Sequence, residues 1–373
     1  MAHDIDPGGL SEFSVVFTDR SLNHMSQNFQ QVMRDISGLL KEVYNADGVT
    51  LVPGGGTYGM EAVARQFAAG QKTLVVRNGW FSYRWSQIFE AGGFAAESTV
   101  MKARQTGNDA TAPFAPAPIE DVVAKIIEEK PQVVFAPHVE TSAGVILPDD
   151  YIAAMATAAH EVGALMVLDC IASGCVWVDM KALGVDVLCS APQKGWSASP
   201  SAGLVMMSDK ALERLQNTQS DSFALDLKKW RDIMVSYENG GHAYHATMPT
   251  DALRAFRDTM VETRDYGFVK LRDAQWALGN SVRNLLKEKG IQSVAAEGFG
   301  APGVVVSYTA DSAIQNGSKF AAEGMQIAAG VPLACDEPEG FKTFRLGLFG
   351  LDKLYDVDGT VARLKAVLDK VLT

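Results

Sequence analysis

Short, continuously apolar runs alternate with longer amphipathic stretches through the first two thirds of the chain. The apolar runs predict strands at VTLVP (49–53), TLVVR (73–77), QVVFA (132–136), ALMVL (164–168), DVLCS (186–190) and GLVMMS (203–208). Helical periodicity lies between most of them, over 58–69, 80–91, 119–129 and 150–162. Buried strands separated by helices are typical of a mostly parallel sheet that is covered on both faces.

The pattern changes after about residue 249. It predicts one long helix over 251–289, strands at 303–309 and 343–348, and a last helix over 356–372. We therefore expect an N-terminal arm (1–20), a large domain (21–255) and a small C-terminal domain (256–373).

Composition and charge argue against several classes of protein. The chain has 373 residues, with 33 Lys+Arg against 44 Asp+Glu, so the formal charge is 33 − 44 = −11. No clustered basic face is visible, so we expect no nucleic-acid partner. The longest apolar run, 151–168, is interrupted by His160, Glu161 and Gly163, which argues against a membrane span. Four cysteines without metal-type spacing, and no secretory signal, favour the cytoplasm and predict no metal site.

Candidate chemistry follows the predicted strands, because ligands of open parallel sheets bind beyond the carboxyl ends of the strands. After the first strand comes GGGTYGMEA (54–62), where glycines and a helix N-terminus suit an anion such as phosphate. A plain tight turn is the alternative. After the second strand comes NGWF (78–81), whose aromatic residues could stack on a flat ring or could simply begin a core-facing helix.

The later strand ends carry a carboxylate and a lysine. Asp169 ends an apolar run, and burying a carboxylate is costly unless a cation pairs with it, although capping a following helix is an alternative role. Lys194 lies in a loop of small residues, SAPQKG (190–195), after the next strand. The sequence indicates a pyridoxal phosphate (PLP) site. It has a glycine-rich loop that could bind the phosphate, an aromatic side chain that could stack on the ring, an aspartate for the ring nitrogen and a lysine in a loop.

These motifs also carry a family resemblance. The chain resembles class V, fold-type I PLP-dependent aminotransferases, and most closely the alanine/serine–glyoxylate (or pyruvate) group. The resemblance runs from about His24 to the C-terminus and rests on GGGTYGMEA, NGWF, HVETSAGV, LDCIAS, SAPQKG, YHATMPTDALRAFRD and FRLGLFG. It implies an α/β fold in which a large domain with a mostly parallel seven-stranded sheet is followed by a smaller α+β domain.

The resemblance implies a role for each matching position. Lys194 matches the lysine that forms a Schiff base with the cofactor, and Asp169 matches the partner of the pyridine nitrogen. The other implied cofactor-binding residues are Gly55, Gly56, Thr57, Phe81, Thr141, Ile171, Gln193, Tyr244 and Thr247.

Tyr244 and Thr247 match phosphate ligands that a neighbouring subunit contributes, which implies a homodimer with a shared site. Arg345 matches the arginine that binds the substrate carboxylate. The N-terminal region departs from the family pattern; there His24 either lines the substrate pocket or caps the helix that begins near Ser26.

The implied reaction is ping-pong transamination through pyridoxamine phosphate, from a small amino acid (alanine or serine) to a small 2-keto acid (glyoxylate or pyruvate). A 2-aminoethylphosphonate–pyruvate type of transaminase is the first alternative. A PLP lyase or cysteine desulfurase would need a nucleophilic cysteine, for which Cys335 is the candidate, but Gln193 stands where those enzymes usually carry histidine. A catalytically inactive PLP-fold binding module is the last alternative, and the presence of Lys194, Asp169 and Arg345 argues against it.

Overall fold

The computed structural model describes residues 5–372, so the first four residues of the predicted arm lie outside the described part. Its helices are α1 (Gln27–Tyr44), α2 (Gly56–Phe67), α3 (Trp80–Gly92), α4 (Ile119–Glu129), α5 (Asp149–Glu161), α6 (Met180–Leu183), α7 (Asp209–Gln216), α8 (Leu227–Glu238), α9 (Thr250–Tyr266), α10 (Phe268–Glu288), α11 (Ser312–Gln315), α12 (Ser318–Ala322), α13 (Leu351–Leu354) and α14 (Val357–Val371). Within residues 5–372, no helix combines the length and the apolar character needed to cross a bilayer.

Eleven of the described strands lie before residue 210 and three lie after residue 300. They are β1 (Gly48–Pro53), β2 (Lys72–Arg77), β3 (Glu97–Lys102), β4 (Arg104–Gln105), β5 (Phe114–Ala115), β6 (Val133–Pro137), β7 (Val139–Glu140), β8 (Val145–Ile146), β9 (Leu165–Asp169), β10 (Val187–Ser190), β11 (Ala202–Met207), β12 (Val304–Tyr308), β13 (Ala328–Ala329) and β14 (Thr343–Gly347).

Seven strands form the main sheet, in the order β1-β11-β10-β9-β6-β2-β3. Neighbours pair in parallel except β11, which is antiparallel to both β1 and β10. The predicted seven-stranded, mostly parallel sheet is therefore confirmed. The strand that the apolar pattern missed is β3, which lies at the edge of the sheet and is only partly buried.

Parallel pairing brings the functional strand ends together. Asp169 pairs in register with Pro137 of β6 and with Cys189 of β10. The loops that follow β10, β9, β6 and β2 therefore leave the same edge of the sheet side by side. The lysine, aspartate, threonine and aromatic positions that the sequence indicated lie at or shortly after these strand ends.

Three hydrophobic cores lie in the described residues, and the smallest of them joins β8 to β12. The largest core extends from Leu22 to Met260, and the second is built mainly from α10, β12, β14 and α14. The three-stranded antiparallel sheet β12-β14-β13 belongs to the second region. Because Leu253, Phe256 and Met260 of α9 pack in the largest core, the expected boundary between 255 and 256 falls inside a helix of the largest core.

The single helix expected over 251–289 is wrong: it is two helices, α9 and α10. They are separated by Gly267, whose φ of 111° is in the region that favours glycine. The amphipathic pattern continues across the break, so periodicity alone does not reveal it. We propose Gly267 as the division between the two regions.

Candidate active site

A cavity of about 200 Å³ opens at the carboxyl edge of the main sheet. Most of the predicted site residues line it, namely Gly56, Thr57, Phe81, Thr141, Asp169, Ile171, Gln193 and Lys194. Gly55 directly precedes α2 as its N-cap residue. The cavity is also lined by Met60, Arg84, Val139 and Ala172, which the sequence did not single out.

Lys194 is half-buried in the turn after β10. Its ammonium nitrogen lies 5.1 Å from the centroid of the Phe349 ring. Burial, followed by the charge of Arg345, lowers the pKa of Lys194, while Asp169 acts in the opposite direction. Since the neutral amine is the nucleophilic form, these surroundings favour attack on a carbonyl carbon.

The small residues around Lys194 have a steric cause. A Cβ on residue 195 would overlap the backbone carbonyl of Gly174, so only glycine allows this approach. The thiol of Cys175 also donates to the carbonyl oxygen of Gly195, at 3.4 Å. The loop is therefore pressed against the turn that follows Asp169, which fixes the two functional side chains relative to each other.

Asp169 is 7% exposed and ends β9 at the cavity wall. Burial raises its pKa to about 7; Glu140 adds to this, whereas the Ile171 N–H, Arg84 and Lys194 oppose it. Its Oδ1 accepts the Ile171 N–H at 2.9 Å. No helix follows at Ile171, so the alternative role as a helix cap is wrong. A buried carboxylate of this kind suits a cationic partner.

The N-terminus of α2 offers an anion site. No side chain caps its first N–H groups. Thr57 lies in its first turn, where its hydroxyl accepts a hydrogen bond from Arg84 at 2.9 Å. The buried side-chain oxygen of Gln193 has no hydrogen-bond partner in the described part of the chain. The uncapped N–H groups of α2 and the Thr57 hydroxyl can therefore donate to a phosphate, whereas the Gln193 oxygen can only accept a hydrogen bond from another group.

Two guanidinium groups flank the aromatic side chain of Phe81. The Cζ atoms of Arg84 and Arg345 lie 5.3 Å and 5.6 Å from its ring centroid. Arg345, on β14, also donates from Nε to the carbonyl oxygen of Ala329 at 2.7 Å. The predicted carboxylate-binding arginine thus lies beside the cavity. Arg84 is three residues after Phe81 in α3, so helical spacing was the signal that could have found it.

The remaining predicted residues do not line this cavity. Tyr244 is 52% exposed, and its hydroxyl shares a hydrogen bond of 3.0 Å with that of Thr247. The ring of His24 lies 5.5 Å from that of Tyr244. The alternative role of His24 as a helix cap is wrong, because Ser26 caps α1 by accepting the Phe29 N–H.

Cys335 is unsuited to act as a nucleophile. It is 4% exposed, and burial raises its pKa to about 12, so its thiol stays protonated. Its Sγ donates to the carbonyl oxygen of Arg77 at 3.3 Å. Nucleophilic cysteines need an accessible thiolate, so the structure gives the desulfurase alternative no support.

Residues 12–293 match the sequence profile of the aminotransferase class-V family. The chain belongs to this class-V aminotransferase family. Members of the family depend on pyridoxal phosphate, and the chain is an enzyme of the transaminase type. The predicted family is thereby confirmed.

The proteins of similar sequence have several different names. The chain is 25% identical to the soluble hydrogenase 42 kDa subunit of Anabaena cylindrica, covering 93% of this chain and 87% of that protein. It is 26% identical to alanine–glyoxylate aminotransferase of Oryctolagus cuniculus, covering 73% and 67%. It is 29% identical to 2-aminoethylphosphonate–pyruvate transaminase of Syntrophobacter fumaroxidans, covering 67% and 64%.

A solved structure confirms the fold of this class-V chain. The crystal structure of alanine–glyoxylate aminotransferase from Nostoc sp. superimposes with a TM-score of 0.78 at 23% identity. The match covers 94% of this chain and 89% of that one. The predicted fold-type I architecture is therefore confirmed over nearly the whole chain.

Proposed function

We propose that the chain binds pyridoxal phosphate on Lys194 and transfers an amino group from alanine or serine to glyoxylate or pyruvate in two ping-pong half-reactions. The observation that carries this proposal is the meeting of Lys194, Asp169 and Phe81 in one cavity, with Arg345 beside it. The bound cofactor supplies an electron sink, and the protein supplies the groups that hold it and move protons.

We assign a role to each residue that would surround the cofactor ring. Lys194 would hold the cofactor and, once released, move the proton at the substrate α-carbon, which its lowered pKa assists. Asp169 would keep a proton on the ring nitrogen. Phe81 would cover one ring face and Ile171 the other, while Thr141 would lie near the ring hydroxyl.

The phosphate of the cofactor and the carboxylate of the substrate would bind to different groups of the protein. Gly55, Gly56, Thr57 and Gln193 would hold the phosphate at the α2 N-terminus. Arg345 would bind the substrate carboxylate through its planar fork. A donor with a small, uncharged side chain needs only this one arginine for its carboxylate.

A donor survey tests this function. With glyoxylate or pyruvate as acceptor, we expect alanine or serine to have the highest kcat/KM, and 2-aminoethylphosphonate to be at least about tenfold slower, because it lacks the carboxylate that Arg345 is expected to bind. Formation of the keto acid product is measured for each donor. A reversed order would favour the 2-aminoethylphosphonate alternative, and no transfer from any of these donors would contradict the proposed function.

We also propose a homodimer in which each site is completed by the partner. Tyr244 and Thr247 are exposed and do not line the cavity that contains Lys194 of the same chain, as expected of groups that serve a second subunit. The arm adds exposed apolar side chains at Leu10, Phe13 and Val15. His24, next to Tyr244, would then approach the partner's substrate pocket.

Subunit complementation tests the shared site. Lys194→Ala and Tyr244→Ala/Thr247→Ala chains are each expected to be nearly inactive alone. Mixed dimers should recover activity, because one of the two sites would combine an intact Lys194 with an intact Tyr244–Thr247 pair. Activity is measured after unfolding and refolding the two variants together. A mixture no more active than its components would rule out sharing.

The expected location is the cytoplasm. All four cysteines, Cys170, Cys175, Cys189 and Cys335, are unpaired and buried. Free thiols of this kind are typical of reducing compartments, which supports the proposal.

A further inference from the structure

Glu140, which precedes Thr141 in the HVETSAGV motif, has a fully buried carboxylate. Its Oε1 accepts the N–H of Phe81 at 3.2 Å and both the N–H and the hydroxyl of Ser142, at 3.1 and 2.7 Å. Its Oε2 accepts the N–H and the hydroxyl of Ser82, at 2.9 and 2.7 Å. One side chain therefore receives five hydrogen bonds.

These bonds close the N-terminus of α3. The hydroxyl oxygen of Ser142 accepts the N–H of Trp80 at 2.9 Å, so the first three N–H groups of α3 all bond to residues 140 and 142. A carboxylate at a helix N-terminus is stabilised both by these bonds and by the helix dipole. By contrast, the N-terminus of α2 has no side-chain cap.

The same bonds join two walls of the cavity. Phe81 on α3 and Thr141, next to Glu140 along the chain, both line it. Without the Glu140 carboxylate, the N–H groups of Phe81, Ser82 and Ser142 would lose their acceptor. Phe81 and Thr141 would then no longer be held in fixed positions relative to each other.

The charge of Glu140 also reaches the catalytic groups. Burial raises the pKa of Asp169 on β9 and of Cys335, and Glu140 adds to both shifts. Burial lowers the pKa of Arg345 on β14, and Glu140 opposes that shift. Arg84 and Lys194 act on Asp169 in the opposite sense. Two buried carboxylates, those of Asp169 and Glu140, therefore both contribute negative charge at this end of the cavity.

We propose that Glu140 is a positioning residue of the transamination site, which holds Phe81 against the cavity and helps Asp169 keep a proton on the cofactor ring. The inference rests on the proposed function. It assigns to Glu140 a role in cofactor binding that is separate from any contribution to folding.

The test uses Glu140→Gln in the full-length protein. The amide group has the same shape but replaces one acceptor oxygen by a donor, so at least two of the five hydrogen bonds are lost. We expect hydrogen exchange across residues 80–82 of the cofactor-free protein to accelerate, and the PLP dissociation constant to rise about tenfold. The pH at which the visible band of the PLP-loaded protein titrates should fall, because the site becomes less negative.

Glu337→Gln is the matched control. The Glu337 carboxylate also accepts backbone N–H groups, from Leu333, Ala334 and Cys335 at 2.7, 3.2 and 2.9 Å, but it does not line the cavity. We expect this variant to be less stable to heat, with a PLP dissociation constant within about twofold of wild type. If both variants change PLP affinity and the pH midpoint equally, Glu140 has only a structural role and the inference is wrong.

Two further variants keep the test decisive if Glu140→Gln does not fold. Glu140→Asp retains the charge and should keep the wild-type pH midpoint while weakening PLP binding. Ser142→Ala removes the acceptor of the Trp80 N–H and should accelerate exchange at the start of α3. Wild-type affinity and exchange in both would overturn the inference. A wild-type protein that binds no PLP would instead overturn the proposed function.

Discussion

Replacing Lys194 with alanine is expected to lower the rate of amino transfer by at least about 10⁴-fold. The reason is that one amine both attaches the cofactor and moves the proton at the substrate α-carbon. The cavity and the α2 N-terminus remain, so PLP should still bind, without a covalent link and without the visible band of lysine-bound cofactor. Rates are measured with alanine and glyoxylate, and cofactor content after gel filtration.

Lys210→Ala is the control for the loss of a lysine near the sheet. Lys210 lies by Asp186, with its Nζ 3.3 Å from a carboxylate oxygen, and does not line the cavity. Its replacement should leave amino transfer within about twofold of wild type. A Lys194→Ala enzyme with wild-type rates would remove Lys194 from the chemistry altogether.

Replacing Asp169 with asparagine is expected to lower amino transfer by about 10²- to 10³-fold. Asparagine keeps an oxygen that can accept the Ile171 N–H, so the turn after β9 should persist while the charge is lost. Without the carboxylate, the ring nitrogen would lose its proton and the cofactor would withdraw electrons poorly. The rate is measured at saturating donor, and a loss smaller than about threefold would contradict the role given to Asp169.

The same variant has a pH signature in the cofactor-free protein. Because the folded-state pKa of Asp169 is about 7, above its ordinary value of 3.8, the folded state binds this proton more tightly than the unfolded state does. The stability that the proton contributes is complete below about pH 4 and is lost as the pH rises through about 7. Thermal unfolding between pH 5 and 8 should therefore depend on pH less steeply in Asp169→Asn than in the wild type. Equal slopes would contradict the buried-carboxylate assignment.

The apolar pattern predicts the fold where strands are buried on both faces. β6 and β9 are completely buried, and their continuous apolar runs locate them to within one residue. β3 is half-exposed at the sheet edge, so it lacks such a run. The break at Gly267 is also hidden, because one glycine inside an amphipathic stretch does not by itself end a helix.

The site is predictable where residues follow strand ends and match family motifs. Lys194, Asp169 and Phe81 satisfy both conditions, and the structure brings them into one cavity. The role of Glu140 was not predictable, because its bonds to Phe81 and Ser82 join positions 59 and 58 residues apart. Such contacts depend on how β2 and β6 pair, which no local pattern specifies.

We propose that the cofactor is attached to Lys194, and reductive trapping tests this claim. The PLP-loaded protein is treated with borohydride, which makes the link to lysine permanent, and is then digested and analysed by mass spectrometry. We predict a pyridoxyl phosphate group on the peptide that contains Lys194 and on no other lysine. Its absence from that peptide, or its presence on a different lysine, would contradict the claim.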